Sequence, residues 1–221
     1  HRELHIISAN MHSVMNTLYI SMALPKEFEA MENGAIFEKL SKPENKALQE
    51  KIRKYAAKNG LVFVDDTSGT NIDVQIIDTA KLDLSKTKFV SSKSEDNKPV
   101  IIVMDYAFGE QAYETLDELL KPYQYENGVL KYLDVHSVSI MGKAGILKGD
   151  KGDIMLPNAH IFEGTADNYP FENDLCADDF ENIPVVEGPM VSVLGTSLQN
   201  RDILRFFHDS SWQVIGLEME G

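Results

Sequence analysis

Two glycines three residues apart mark the first stretch of the chain whose residue types could serve chemistry. Gly142 and Gly145 enclose Lys143 and Ala144, just after a strand-like run. Glycine lets the backbone turn tightly and come close to a bound molecule, because it has no β-carbon. The stretch could instead be a tight connection between two strands that binds nothing. Spacing alone leaves both interpretations open.

Glu110 is a second candidate, because it lies where a predicted strand gives way to a predicted helix. Val100–Met104 is a continuous apolar run, and Glu110–Leu120 has helical periodicity. A carboxylate at a helix start complements the helix dipole, which is the structural interpretation of Glu110. Ligands of open α/β sheets bind beyond the carboxyl ends of the strands, so Glu110 could also act there as a base.

Candidate metal ligands are sparse in the sequence. Asp65 and Asp66 are adjacent before a turn, and we expect solvated or capping carboxylates there rather than a cation site. His5 and His12 are too far apart to form a compact pair of ligands on a helix. The sequence therefore predicts neither a metal nor a cofactor.

The composition is that of a globular protein with a strongly acidic surface. The 221 residues carry a formal net charge of -14, which repels phosphate backbones and anionic lipid head groups. Nucleic acid and membrane are therefore not expected partners, whereas backbone N–H groups could still hold a small anion. The single cysteine, Cys176, cannot form an internal disulfide. This fits a reducing compartment, and we expect a cytoplasmic protein.

Hydrophobic periodicity predicts the elements that must position these residues. For the first part of the chain, the pattern predicts a helix over 1–24, a broken helix over 25–43, a helix over 43–59 and a hairpin over 61–78. A short strand over 19–24 is the alternative for the end of the first helix. A polar, Ser- and Lys-rich stretch over 85–98 is the predicted linker.

The second part, residues 99–221, predicts alternating strands and helices, as in an α/β domain. The predicted elements are strands over 100–104, 134–140, 153–157, 190–194 and 212–217, with helices over 110–120 and 198–208. Pro157 is expected to stop its strand, and residues 158–179 to form a long loop.

Three pieces of this second part, in this order, resemble the nucleoside phosphorylase and nucleosidase superfamily. PVIIVMDYAFGEQA is similar to the family's first strand and acidic turn, and IMGKAG followed by KGDIMLP looks like its glycine turn and next strand. VIGLEMEG, at 214–221, resembles the family strand that ends in Glu-Met-Glu. The resemblance covers about residues 99–221.

The resemblance implies an α/β fold, a three-layer α/β/α sandwich around a mixed, twisted central sheet. Residues 1–98 would be an N-terminal α+β extension, and residues 99–221 the phosphorylase-like domain. The resemblance also implies a site that holds a nucleoside or nucleotide, with phosphate as a further ligand, and breaks the N-glycosidic bond. Family members commonly pair subunits beside the site, so a homo-oligomer is expected.

The resemblance also implies roles for individual residues. Met219 and Glu220 would contact the sugar, and Glu220 can accept two hydrogen bonds from vicinal hydroxyls. Strand alternation would place Glu218 on the same face as Glu220, which makes it a further substrate-binding candidate. Main-chain N–H groups of Gly142–Gly145 would hold phosphate, or the sugar in a nucleosidase. Glu110 would activate water as a general base.

Departures from the family pattern bear on the reaction. Lys143 and Ala144 stand where the family's glycine turn usually carries a hydroxyl residue. No arginine occurs between Val100 and Lys131, which argues against phosphorolysis and favours hydrolysis. The family's catalytic aspartate lies on a segment after Glu-Met-Glu, and the sequence to Gly221 does not include it. A non-catalytic nucleoside-binding or sensing module, and a structural domain that binds nothing, are therefore the alternatives.

Overall fold

The chain folds around two five-stranded mixed β-sheets, each belonging to a separate unit. The computed structural model describes residues 2–31, 34–87, 98–165, 167–180, 182–195 and 200–221. The first unit comprises the residues up to Ala107 together with Asp117–Met141, and the second comprises Phe108–Leu116 with Gly142–Gly221. Most of the predicted linker over 85–98, and the start of the helix predicted over 198–208, lie outside the described residues.

Helices and strands are interspersed along the chain up to residue 141. In chain order, these elements are β1 (Leu4–Ser8), α1 (Met11–Ala23), α2 (Pro25–Glu29), α3 (Ala35–Ser41), α4 (Lys46–Lys58), β2 (Leu61–Val64), β3 (Val74–Asp78), β4 (Val100–Met104), α5 (Glu110–Leu120), β5 (Tyr123–Gln124), β6 (Leu130–Lys131) and β7 (Val135–Ile140). Helix α5 contributes residues to both units. The remaining elements are β8 (Gly145–Ile146), β9 (Ile154–Phe162), β10 (Asn168–Pro170), β11 (Val185–Ser192), α6 (Arg201–Asp209) and β12 (Gly216–Glu218).

The first sheet has the strand order β2-β3-β4-β1-β7. β1 runs parallel to both β4 and β7, whereas β3 is antiparallel to β2 and β4. Helices α1 and α4 supply Tyr19 and Ile52 to a core that also contains Ile77 and Val103, all four fully buried. The sheet therefore takes strands from both sides of the boundary predicted at residues 98 and 99, and that boundary stays a prediction about domain organisation.

The helix predicted over 1–24 is wrong at its beginning. Leu4–Ser8 is a strand, and it lies in the sheet between β4 and β7. Apolar residues in this stretch fit a helical and an alternating period equally well, so pairing with two parallel neighbours decides the structure. The helix starts only after Asn10, whose side chain accepts the Ser13 N–H at 3.1 Å. The broken helix over 25–43, the helix over 43–59 and the hairpin over 61–78 are confirmed.

The second sheet has the strand order β10-β9-β11-β12-β8. Its three central strands are parallel, and the short strands β10 and β8 close its two edges in antiparallel register. Ile161, Val191 and Leu217 from the central strands pack with Phe207 of α6 in an apolar cluster. Adjacent central strands therefore end at the same edge, where polar side chains can meet.

Three predictions about β9, the loop after it and β11 need correction. Pro157 does not stop its strand, because β9 continues to Phe162. The ladder between β9 and β11 shifts register just after the pair Pro157 and Gly188, and such an irregularity accommodates a residue without an N–H. The loop predicted over 158–179 consequently begins inside β9 and contains β10. The strand predicted over 190–194 begins earlier, at Val185.

The predicted α/β class with a mixed sheet is confirmed by these two units. The strand predicted over 134–140 and the helix over 110–120 are present as β7 and α5. No helix in the described part of the chain combines the length and apolar character needed to cross a membrane.

Candidate functional site

The Glu-Met-Glu segment bends away from its strand instead of continuing it. β12 ends at Glu218, and the N–H groups of Glu220 and Gly221 turn back to donate to Oε2 of the Glu218 carboxylate, at 2.6 and 2.5 Å. The predicted strand alternation therefore stops at Glu218. Glu218 is buried, with 7% of its surface exposed, whereas Glu220 is half-buried. The two carboxylates thus occupy different environments.

The glycine turn lies directly against the Glu220 carboxylate. A β-carbon added to Gly142 would lie 2.6 Å from Cδ of Glu220 and 2.7 and 2.9 Å from its two oxygens. Only glycine permits this approach, because real β-carbons essentially never come so close to other heavy atoms. The backbone of Gly142 does not have a positive φ, so what a larger residue would disturb here is the position of the Glu220 carboxylate, which would have to shift. The structure thus brings two predicted motifs together.

The rest of the glycine stretch joins the same sheet as the Glu-Met-Glu segment. Gly145 begins β8 and pairs with Leu217 of β12. Ala144 is half-buried and Lys143 is exposed.

The start of α5 meets the same segment through the backbone. The Gly109 N–H donates to the Met219 carbonyl oxygen at 3.3 Å. Glu110, the next residue, is exposed at the first position of the helix. The Met219 side chain is half-buried and packs against the apolar cluster of the second unit. All the predicted site residues therefore lie in the second unit, and contacts between Glu220 and Gly142 and between Met219 and Gly109 connect their segments.

A cluster that sequence reasoning missed surrounds the Glu218 carboxylate. Ser192, at the end of β11, donates its hydroxyl to Oε1 of Glu218. Nδ1 of His160, on β9, lies 3.2 Å from the same oxygen and 3.3 Å from the Ser192 hydroxyl. The Ser192 hydroxyl also lies 3.0 Å from the Gly221 carbonyl oxygen. Three neighbouring parallel strands thus contribute one polar side chain each.

The hydrogen bonds to Glu218 determine its charge state. Burial alone would raise the pKa of this carboxyl group, because it penalises the charged form. Hydrogen bonds from His160, Ser192 and the Gly221 N–H favour the carboxylate and outweigh burial, so the pKa of Glu218 is lowered. Glu218 is therefore a buried negative charge at neutral pH.

The sequence gives little indication that His160, Ser192 and Glu218 come together. His160 is 58 residues from Glu218, and Ser192 is 26 residues from it, so no local motif joins them. His160 also fell in the predicted loop after Pro157, which hid its place on a strand. The usable signal was that Ser192 lay within one predicted strand, over 190–194, and Glu218 directly after another, over 212–217.

A separate cavity of about 550 Å³ lies in the same unit. The stacked rings of His160 and Phe171, whose centroids are 5.2 Å apart, join it to the cluster, because Phe171 also lines the cavity. The exposed thiol residue Cys176 lies in the cavity wall. Within the described ranges, no three His, Cys, Asp or Glu side chains come together as metal ligands.

Residues 37–221 match the model of a family described as "Family of unknown function (DUF6909)". The chain belongs to this family. No curated protein matches it.

Solved structures similar to this DUF6909 protein come from Helicobacter pylori. A futalosine hydrolase mutant and the native futalosine hydrolase of strain 26695 each have a TM-score of 0.50 and 12% identity. They are matched over 100% of this chain and over 80% and 78% of their own chains. Helicobacter pylori MTAN has a TM-score of 0.48 at 12% identity, over 100% of this chain and 79% of its own. The two futalosine hydrolase structures show that the DUF6909 chain shares their fold.

Proposed function

We propose that this protein binds a nucleoside or nucleotide and cleaves its N-glycosidic bond by hydrolysis. The observation that supports the proposal best is the contact between the Glu220 carboxylate and Gly142. It joins the carboxylate predicted to bind the sugar and the glycine turn predicted to bind the sugar or phosphate. The fold shared with a futalosine hydrolase, a hydrolase by name, agrees with this proposal.

The sugar would be recognised mainly by Glu220. Its two carboxylate oxygens can each accept a hydrogen bond from one of two vicinal hydroxyls, and such charge-assisted bonds are about twice as strong as neutral ones. The half-buried Met219 would offer an apolar contact to the sugar ring. In a nucleotide, the exposed Lys143 ammonium and the N–H groups of Gly142–Gly145 would face the phosphate.

The bond cleavage would use Glu110 as the base. Its carboxylate would take a proton from a water molecule, whose oxygen bonds to the anomeric carbon of the sugar. The N-glycosidic bond breaks, and its electron pair leaves on the base nitrogen, which takes up a proton from solvent while Glu110 later returns its own proton to solvent. The products are the free base and the free sugar. The negative charge of Glu220 would stabilise the oxocarbenium-like transition state.

Product analysis tests the proposal directly. Purified protein is incubated with adenosine, inosine, uridine and their 5′-phosphates, with and without inorganic phosphate, and the free base and sugar are separated by chromatography. We expect free sugar rather than sugar 1-phosphate, because no arginine clamp occurs between residues 100 and 131. Glu220→Gln should lower the rate by about 100-fold, since it removes one transition-state charge. Glu187→Gln, an exposed carboxylate of the separate cavity, is the matched control.

Two results would count against hydrolysis. A nucleoside that raises Tm without releasing a base would favour the non-catalytic binding module. The absence of both a Tm shift and a product, across all six compounds, would overturn the proposal. The expected homo-oligomer stays a prediction, which size-exclusion chromatography with light scattering tests.

A further inference from the structure

We propose that His160 and Ser192 are positioning residues, which hold Glu218 as the internal anchor of the turn that presents Glu220 to the sugar. This proposal rests on the nucleoside-binding function proposed above. It assigns Glu218 to the support of the turn instead of to contact with the ligand.

Both oxygens of Glu218 are already engaged inside the protein. Oε1 accepts the Ser192 hydroxyl and lies 3.2 Å from Nδ1 of His160. Oε2 accepts the N–H groups of Glu220 and Gly221. With 7% of its surface exposed, Glu218 has no free face for a diol. Its negative charge is used to hold the chain.

The anchor fixes the backbone that carries Glu220. Because the Glu220 N–H is bound to the buried carboxylate, the backbone at this residue cannot rotate freely. The Glu220 side chain then lies against Gly142, where a β-carbon would collide with it. A carboxylate held in this way loses less conformational entropy when it binds a diol.

The His160 ring lies against Gly221, the last residue of the turn. A β-carbon added to Gly221 would lie 2.8 and 2.9 Å from Nδ1 and Nε2 of His160. Stacking on Phe171, with ring planes only 6° apart, holds the imidazole in this position. The ring thus both bonds the anchor and packs against the end of the turn.

Sheet register makes this arrangement rigid. Ser192 is directly opposite Glu218 in the β11–β12 ladder, and His160 is opposite Met190 in the β9–β11 ladder. Side chains on central strands of a sheet are held more precisely than side chains on loops. The positioning residues and the anchor thus share one rigid support.

Ribose discrimination provides the functional test. Calorimetry compares a ribonucleoside that the wild-type protein binds with its 2′,3′-dideoxy counterpart, which lacks both hydroxyls that Glu220 would accept. Ser192→Ala and His160→Gln should each reduce the preference for ribose by about tenfold, and affinity for the dideoxy compound should change little. Ser192→Thr, which keeps the hydroxyl, should restore the preference. His208→Gln, an exposed histidine at the end of α6, is the matched control.

Amide hydrogen exchange tests the anchor without any ligand. In wild type, the amide protons of Glu220 and Gly221 should exchange slowly, because both are donated to a buried carboxylate. Ser192→Ala and His160→Gln should accelerate both by about tenfold relative to amides in β4, which serve as the internal reference. If Ser192→Ala does not fold, Ser192→Cys replaces it, since a thiol is a weak donor of similar size.

The two measurements separate the outcomes. Unchanged exchange in both variants overturns the anchor. Faster exchange with an unchanged ribose preference means that the cluster is only structural, which overturns the positioning role. If the wild-type protein binds no nucleoside, the proposed function fails and the positioning role with it, while exchange still decides whether the anchor exists.

Discussion

Asp66 in the first unit and Glu218 in the second lie at or just after the end of a strand. Both carboxylates accept N–H groups of the turn that follows. Asp66 follows β2 and accepts the N–H groups of Ser68, Gly69 and Asn71, at 2.8, 3.2 and 2.7 Å. Glu218 ends β12 and accepts the N–H groups of two following residues. In both turns a carboxylate replaces the partners that the backbone loses when the strand ends.

The two turns differ in where their other partners come from. Every donor to Asp66 lies within five residues of it, in an exposed loop. The donors to Glu218 include side chains 26 and 58 residues away on two other strands. The first turn is therefore a local cap, and the second connects a turn to the core of its unit. The hydrogen bonds of Asp66 agree with the expectation of a solvated or capping carboxylate at this turn.

Removing each carboxylate in turn should give the largest difference in stability between the two regions. Glu218→Ala leaves a half-buried histidine, a buried serine and two N–H groups without their acceptor, and should lower the free energy of unfolding by about 3 kcal/mol. Asp66→Ala exposes its donors to water and should have a much smaller effect. Urea denaturation followed by circular dichroism measures both variants. Equal losses in the two variants would show that the long-range partners of Glu218 add nothing.

Substituting the glycine beside each carboxylate should have different effects on nucleoside affinity. Gly142→Ala places a β-carbon against the Glu220 carboxylate, and should weaken nucleoside binding by about tenfold. A β-carbon added at Gly69, near Asp66, meets no atom within 4 Å, and the φ of +86° is a conformation that asparagine tolerates better than most residues, so Gly69→Asn is the matched change. Isothermal titration with the best-bound nucleoside should show no change for Gly69→Asn. If Gly142→Ala binds the nucleoside as tightly as the wild type, Glu220 does not contact the ligand.

Acid should destabilise both turns, and the loss should begin at a higher pH for Glu218 than for Asp66. Hydrogen bonds to Ser68 and the loop N–H groups lower the pKa of Asp66 from 3.8 to about 2, and the pKa of Glu218 is also lowered from 4.5. Each carboxylate therefore stabilises the fold fully above its ordinary pKa, and this contribution is lost as pH falls through the lowered value. The stability difference between wild type and Glu218→Gln should thus shrink below pH 4.5. For Asp66→Asn it should shrink between pH 3.8 and about 2.

The smallest effect is expected from Ser68→Ala. This change removes the hydroxyl that lies 2.7 Å from Oδ1 of Asp66 and leaves the loop N–H groups in place. The pKa of Asp66, followed by NMR, should move part of the way back toward its ordinary value, while Tm stays almost constant. A pKa that does not move would show that the backbone donors alone lower it.

Local patterns predicted the elements whose partners are close in sequence. The hairpin over 61–78 and the helix over 43–59 were predicted correctly, because turn residues and periodicity are local signals. Strand β1 was missed, because its identity depends on pairing with β4 and β7, more than 90 residues away. The continuation of β9 past Pro157 likewise depends on an irregularity in its partner strand β11.

The residues of the candidate site also divide into those with a local sequence pattern and those without one. Gly142, Glu110 and Glu220 could be named as candidates because each belongs to a pattern that can be read along the chain. His160 and Ser192 were missed, because their contacts with Glu218 depend on sheet register, which a single sequence does not display. Which of two neighbouring glutamates is buried was also invisible, since burial is decided by the bend after Glu218.

The single thiol of this protein makes the cavity beside Phe171 easy to observe. Cys176 is the only cysteine in the sequence, and it is exposed at the wall of that cavity. A maleimide fluorophore therefore attaches at one position without any engineered change, and its emission reports on what enters the hollow next to it. Cys176 thus provides an attachment point for a spectroscopic reporter at this cavity.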